Sequence, residues 1–314
     1  MLSTAIVITT YNGEKYINEQ LESIRLQTRI PDHVYIFDDK STDSTPKRIV
    51  EYIEKYSLQN KWELIINEKQ LGWKRNFMEG FKKVSEDLIF PCDQDDIWPI
   101  YKVEYYVNIF EKRENIALLR GRSLSIKNRK FNFLSNKCVL LDRFGTNEFG
   151  KSARGCSLCF RKSFFNIVEE HWEKNQPHDA FLIHMARLMN AGYCTRIVGV
   201  YHRVHSDNTF TKENKSNNYR CDALNKNEER MAMCTLMKDF LRAHPEFGDY
   251  KKIDAITKIE KWISYRERYL INPNILMQLG LIRYFYYYES NKPFFKDLFV
   301  LYFEKTKPFW DRKL

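Results

Sequence analysis

Nowhere in these 314 residues do about 18 apolar residues run together, so no membrane-crossing helix is expected. The opening, MLSTAIVITTYNGEKY, lacks a basic segment followed by a long apolar one, so no export signal is expected either. Cys156 and Cys159 form a lone CxxC with no second pair, which leaves a structural zinc site two ligands short. The seven cysteines are scattered and odd in number, which argues against a disulfide framework and for free thiols. RGCSLCF reads as a buried strand in which cysteine acts as a small apolar residue. TTYNGEKY holds one glycine, too few for a Gly-rich phosphate loop. No internal repeat is visible.

Hydrophobic residues make up 43% of the chain, enough for a substantial core. The length suits one large domain or two ordinary ones. A net charge of +10 and a pI near 9.1 favour an anionic partner. They do not choose among a nucleotide phosphate, nucleic acid and an acidic membrane surface.

Short β-rich runs alternate with helical ones through the first part. TAIVITT, HVYIFDD, WELIIN and DLIFPC read as strands. GEKYINEQLESIRLQT, with apolar residues at 17, 21 and 24, reads as an amphipathic helix. STDSTPKRIVEYIEKY follows with capping residues and a proline in its first turn, and WKRNFMEGFKKV is a third helix. Such alternation implies a parallel sheet with helices on its faces. Further on, IALLRG, GCSLCF and YCTRIVGVYHRVH read as strands, and SFFNIVEEHW and DAFLIHMARLMNAG as helices. From about residue 219 only long helical stretches remain, and a boundary is expected near 215, in TKENKSNN.

Ligands of such sheets bind beyond the carboxyl ends of the strands. TTYNG, DDKSTD and DQDD all fall there. In DQDD, Asp93, Asp95 and Asp96 crowd three carboxylates into four positions, an arrangement that asks for a cation. Each cluster also has a plainer reading, as a turn or a helix cap. Ser41 and Asp43 already serve the second helix as caps.

The order IVITTYNGEKYINEQLESIRLQT, FDDKSTDST, LGWKRNF, DQDDIW, then PHDAFL and YHRVHSDNT, resembles glycosyltransferase family 2, the inverting GT-A group, and its bacterial rhamnosyltransferase-like branch most. The resemblance covers roughly residues 3 to 210. It implies an α/β GT-A fold, a mixed and mostly parallel sheet flanked by helices, with a C-terminal helical extension. It implies a catalytic domain over 1–215, its donor-binding half about 1–120 and its acceptor-binding half about 121–215, followed by a basic, aromatic-rich helical region over 216–314. It implies transfer of a sugar from a UDP- or dTDP-sugar to a hydroxyl of a cell-surface glycan or lipid-linked acceptor.

By that resemblance DQDD is a DXD element. Asp95 would bind Mg²⁺ or Mn²⁺, hard cations suited to oxygen ligands, with Asp93 on the ribose or sharing the metal and Asp96 behind them. Thr9 and Tyr11 would line the base pocket. Asp39, rather than Asp38, would accept the imide N–H of uracil or thymine. Lys74, Arg75 and Asn76 would lie near the base and phosphates. Asp179 would be the general base. His205, with His202 as the other candidate, would complete the metal site. Two departures from the family pattern stand out. Pro99 follows Trp98 directly, and Ala180 and Phe181 follow Asp179 where aromatic residues are usual.

Residues 280–314 contain twelve aromatics and seven lysines and arginines against four acids. Either they contact an anionic membrane or they pack a helical appendage or a dimer. A cytoplasmic protein at the inner face of the plasma membrane is expected. Two other classes fit less well. A nucleic-acid-binding protein would gather its aromatics in a basic patch and would not need three acids on the rim. A nucleotidyltransferase would carry the missing phosphate loop.

Overall fold

The computed structural model describes residues 1–126, 141–143, 155–174, 176–205, 219–288 and 291–305. They fall into two compact units, one holding everything described up to His205 and the other the helices from Tyr219 onward. The anticipated boundary in TKENKSNN lies outside the described residues.

The first unit is built on one eight-stranded sheet of order β3-β2-β1-β4-β7-β5-β8-β6. Its strands are β1 (Thr4–Thr10), β2 (His33–Asp38), β3 (Trp62–Ile66), β4 (Leu88–Asp93), β5 (Leu118–Ile126), β6 (Leu141–Arg143), β7 (Leu158–Arg161) and β8 (Gly192–Arg203). β1, β2, β3 and β4 pair parallel, as do β5 and β8, while β7 runs antiparallel between β4 and β5 and β6 edges β8 antiparallel. This is the mixed, mostly parallel GT-A-like sheet that the sequence led us to expect, and helices flank it.

β1 is β-branched at every position but Ala5 and is buried along its whole length. Each such buried valine or isoleucine contributes on the order of 1.5–3 kcal/mol. The helices α1 (Ile17–Arg25), α2 (Thr45–Lys55), α3 (Trp73–Lys83) and α4 (Lys102–Lys112) follow β1 to β4 in turn. α1 buries Ile17, Leu21 and Ile24, and α2 buries Ile49, Tyr52 and Ile53. Both read as the helical spacing of their sequences requires. α5 (Lys162–Val168) and α6 (His178–Leu188) complete this unit. RGCSLCF is strand only over Leu158–Arg161, and Gly155–Ser157 winds into a short 3₁₀ turn. Cys156 and Cys159 are both free and fully buried.

The second unit consists of α7 (Tyr219–Ala243), α8 (Tyr250–Ile271), α9 (Ile275–Leu281) and α10 (Asn291–Lys305). α8 and α9 start on side-chain caps, Asp249 accepting from Lys252 N and Asn274 from Met277 N. At its centre Asp297 of α10 is wholly buried and pairs with Arg266 of α8, Nε to Oδ2 at 2.6 Å. Tyr219 donates to the other carboxylate oxygen at 2.6 Å, and Tyr288 donates to Oδ2. Tyr288 and Phe294 are buried against this pair, whereas Phe285, Tyr286 and Phe295 are exposed. The aromatic tail thus packs in part and faces solvent in part. Among the described residues no helix is long and apolar enough to cross a membrane.

Candidate active site

Strand register assembles the rim. In the β1–β4 ladder Thr9 stands beside Asp93, and in the β1–β2 ladder Thr10 stands beside Asp38. Asp38 is fully buried and tied to the fold, accepting from Thr10 Oγ1 at 2.6 Å, Ser41 Oγ at 2.7 Å and Ser41 N at 2.8 Å. The loops after β1 and β2 are laced together, with Asn12 N donating to Ser41 Oγ and Thr42 N to Asn12 Oδ1. Asn12 takes a left-handed φ of 47°, which its short polar side chain tolerates.

Gln94, the central residue of DQDD, clasps the first loop. Tyr11 N donates to its Oε1 at 2.8 Å and its Nε2 donates to Tyr11 O at 3.0 Å. The Tyr11 ring is left 41% exposed at the rim.

Asp39 is buried and holds the start of α3. Leu71 N donates to Oδ1 at 2.7 Å, Gly72 N to Oδ2 at 2.8 Å and Asn67 Nδ2 to Oδ1 at 3.0 Å. Gly72 has φ +81°, a left-handed turn that suits glycine and opens α3. A carboxylate has about four acceptor positions, so Asp39 keeps capacity for one more donor. Asn76, by contrast, turns inward, donating to Phe37 O at 2.9 Å and accepting from Asn67 at 2.9 Å. Arg75 lies 3.6 Å from Glu79 along the helix. The Lys74 charge acts on Asp179, and Asn76 is linked to Asp39 through Asn67.

The DQDD turn is fixed to β8 by a two-way backbone bridge, Ile97 N to Tyr201 O at 3.0 Å and Tyr201 N to Ile97 O at 2.8 Å. The bridge delivers the two histidines to two different acids. His205 Nε2 lies 2.8 Å from Asp95 Oδ2, and His202 Nδ1 lies 2.8 Å from Asp96 Oδ1. Arg203, between them, donates to Asp95 O at 3.2 Å and pairs with Glu19 at 2.6 Å. The Tyr16 ring stacks on His205 at 4.5 Å.

Burial first, and then the Asp96 and Asp95 charges, push the Asp93 carboxyl well above its usual range; the Asp179 charge adds to this. Burial and Asp96 also raise Asp95, with His205 opposing. One oxygen of Asp96, Oδ2, is buried without a hydrogen-bond partner. Ligand atoms of Asp93, Asp96 and Cys156 lie within 4.8 Å of one another. Crowded carboxylates, an orphaned oxygen and an adjacent imidazole fit a divalent cation that favours oxygen and accepts nitrogen.

Below the cluster, the fully buried Lys102 donates to Cys156 O at 2.7 Å and sits over the Trp98 ring. Burial lowers its amine to about 8. Opposite it, α6 presents Asp179 in its first turn, half-buried, while Pro177 occupies the cap position. Burial pushes the Asp179 carboxyl up to about 6, with the Ala180 and Gly155 backbones opposing. His178, just before it, is buried among Trp73, Phe77 and Phe81. A side chain at Gly155 would come within 2.5 Å of its Nε2, so glycine is needed for that approach.

The structure therefore brings Asp93, Asp95, His205, Asp179 and Thr9 to one rim with Tyr11 and Asp39 nearby, and Asn76 behind Asp39, linked to it through Asn67. Gln94, Arg203, Lys102 and His178 escaped the reading of the sequence. Arg203 stood in plain view between two candidate histidines. Lys102 had no signal at all, because a lysine at a helix start reads as exposed.

Residues 5–172, more than half of the chain, match the model of Glycosyl transferase family 2. The chain belongs to this family. The dTDP-rhamnosyl transferase RfbG of Shigella flexneri is 28% identical over 222 residues, 64% of this chain and 72% of that protein. Other curated relatives match over a shorter stretch, and there the alignment spans only 27–36% of their length. In fold, the chain is similar to residues 1–349 of Staphylococcus aureus TarS in complex with UDP-GlcNAc, with a TM-score of 0.59 and 15% identity over 98% of this chain and 93% of that fragment. The Pyrobaculum calidifontis mannosyltransferase PcManGT, solved with GDP-Man and Mn²⁺, gives a TM-score of 0.53 at 13% identity over 99% of this chain and 88% of the other.

Proposed function

We propose that this protein moves a sugar, with inversion, from a UDP- or dTDP-sugar to a hydroxyl of a glycan or lipid-linked acceptor. The observation that carries this is the meeting of Asp95 with His205 on the same strand-end rim as Asp93 and Asp179. Family membership supports the reaction class. The name of the Shigella relative supports a deoxysugar on a thymidine nucleotide.

Asp95 and His205 hold a divalent ion, with Asp93 beside it. Bound there, the ion supplies positive charge against the departing diphosphate. Mn²⁺ suits a mixed carboxylate and imidazole set, and its presence in the mannosyltransferase complex supports that choice. Asp39 directs its remaining acceptor capacity at the imide N–H of the base, and Tyr11 forms a wall of the base pocket. Lys74 stands on the diphosphate side.

Asp179 takes the proton from the acceptor hydroxyl. Its raised carboxyl is ionised at neutral pH and is a stronger base than an ordinary aspartate, which suits proton transfer. Incubation with a panel of UDP- and dTDP-sugars and Mn²⁺ tests the proposal. It calls for release of a nucleoside diphosphate and attachment of the sugar to an acceptor. Release of pyrophosphate would make the protein a nucleotidyltransferase instead.

A further inference from the structure

The helix α9 and the 3₁₀ turn after it have two unlike faces. The inner face is anchored: Leu281 is fully buried, Gln278 Nε2 donates to Leu298 O at 2.6 Å, and Tyr265 donates to Met277 O at 3.0 Å. The outer face carries Ile275, Leu276, Leu279, Ile282 and Tyr286, each more than half exposed. Their spacing of three and four residues sets Ile275, Leu279 and Ile282 in one row, and Tyr286 is exposed in the 3₁₀ turn beyond them. Ile271, at the end of α8, is also exposed, at 61%. Phe285 packs edge-on against Phe294, which meets the exposed Phe295, so the apolar surface continues onto α10.

An aliphatic row of this size on the surface marks a contact. The charge around it says with what. From Ile271 to Lys296 the sequence holds Arg283, Lys292 and Lys296 and a single acid, Glu289. All three cations are exposed. A second copy docking two-fold through this face would set these cations against their own counterparts. An anionic lipid surface would accept both the apolar row and the cations. We infer that the outer face of α9, with Arg283, Lys292 and Lys296 beside it, docks in the plane of an anionic membrane, its aliphatic side chains entering the headgroup boundary. This surface stands on the second unit alone, so the inference does not depend on the sugar-transfer reading.

The test is co-sedimentation of the full chain with vesicles of phosphatidylcholine, with and without phosphatidylglycerol. The protein should bind the anionic vesicles at least tenfold more tightly than the neutral ones, and salt should weaken that binding. Leu276→Glu with Leu279→Glu should weaken it at least tenfold with no change in Tm, because both residues are exposed. Should that pair lower the Tm, Leu279→Ser with Ile282→Ser provides the same reading without added charge. Unaltered vesicle binding by folded variants would overturn the inference. So would a wild-type protein that ignores anionic vesicles, or a dimer in sedimentation velocity that the variants dissolve.

Discussion

His205 Nε2 and Asp95 Oδ2 are 2.8 Å apart, joined across 110 positions of sequence by the backbone bridge between Ile97 and Tyr201. His202 makes the same kind of contact with Asp96, whose side chain is wholly buried. The two histidines therefore separate by role. His205→Ala should raise the Mn²⁺ concentration needed for activity and leave the Tm nearly unchanged. His202→Ala should lower stability by about 1 kcal/mol, the loss of one hydrogen bond, since Arg203 N still donates to Asp96 Oδ1. Metal titrations and thermal melts of both variants check this. Equal effects on metal demand would break the division.

Asp179→Asn should lower turnover by on the order of a hundredfold while donor affinity holds. In the wild type, turnover at saturation should rise with pH through about 6 and then level off, and the asparagine variant should lose that step. Stability gives a second check. The folded carboxyl titrates near 6, above its ordinary value of 3.8. The contribution of this carboxyl to stability is therefore full below about pH 4 and is lost as the pH rises through 6. Asp179→Asn should thus raise the Tm at pH 7–8 and leave it unchanged at pH 4. A lowered Tm at both would mark Asp179 as a structural residue.

Gln94→Ala removes both hydrogen bonds to the Tyr11 backbone. At about 1 kcal/mol for each bond, stability should fall by about 1–2 kcal/mol. The KM for the donor should rise with little change in kcat, since the clasp shapes a wall of the base pocket. A fall in kcat with KM unchanged would contradict that assignment.

Asp39→Ala leaves Leu71 N and Gly72 N without their acceptor at the start of α3. It should destabilise the protein by about 1–3 kcal/mol and also weaken UDP or dTDP binding. Calorimetry beside melting separates the two effects. Undiminished nucleotide affinity in the melted-down variant would restrict Asp39 to holding the loop.

Much of this was legible in the sequence because each run had one dominant demand. TAIVITT sets Ala-Ile-Val-Ile between threonines, a β-prone run that reads as a strand buried on both faces. Its polar exit then fell at the sheet rim without further assumption. Asn76 reads as exposed because its neighbours in KRN are basic and polar, yet its side chain turns inward and reaches Asp39 only through Asn67. Lys102 and Gln94 act through contacts made across the sheet, which local pattern does not encode. The aromatic tail shows a different limit of the sequence. A count of aromatics cannot say that Asp297 would draw Tyr288 and Tyr219 inward, nor that the exposed row would be the aliphatic one on α9.

The most direct test of the central claim is calorimetric titration of UDP and dTDP into the wild type and Asp95→Ala, with and without Mn²⁺. The account predicts binding that requires Mn²⁺ in the wild type and is lost in the folded variant, with no competition from single-stranded RNA. Equally tight binding without metal, or unchanged binding in Asp95→Ala, would contradict it.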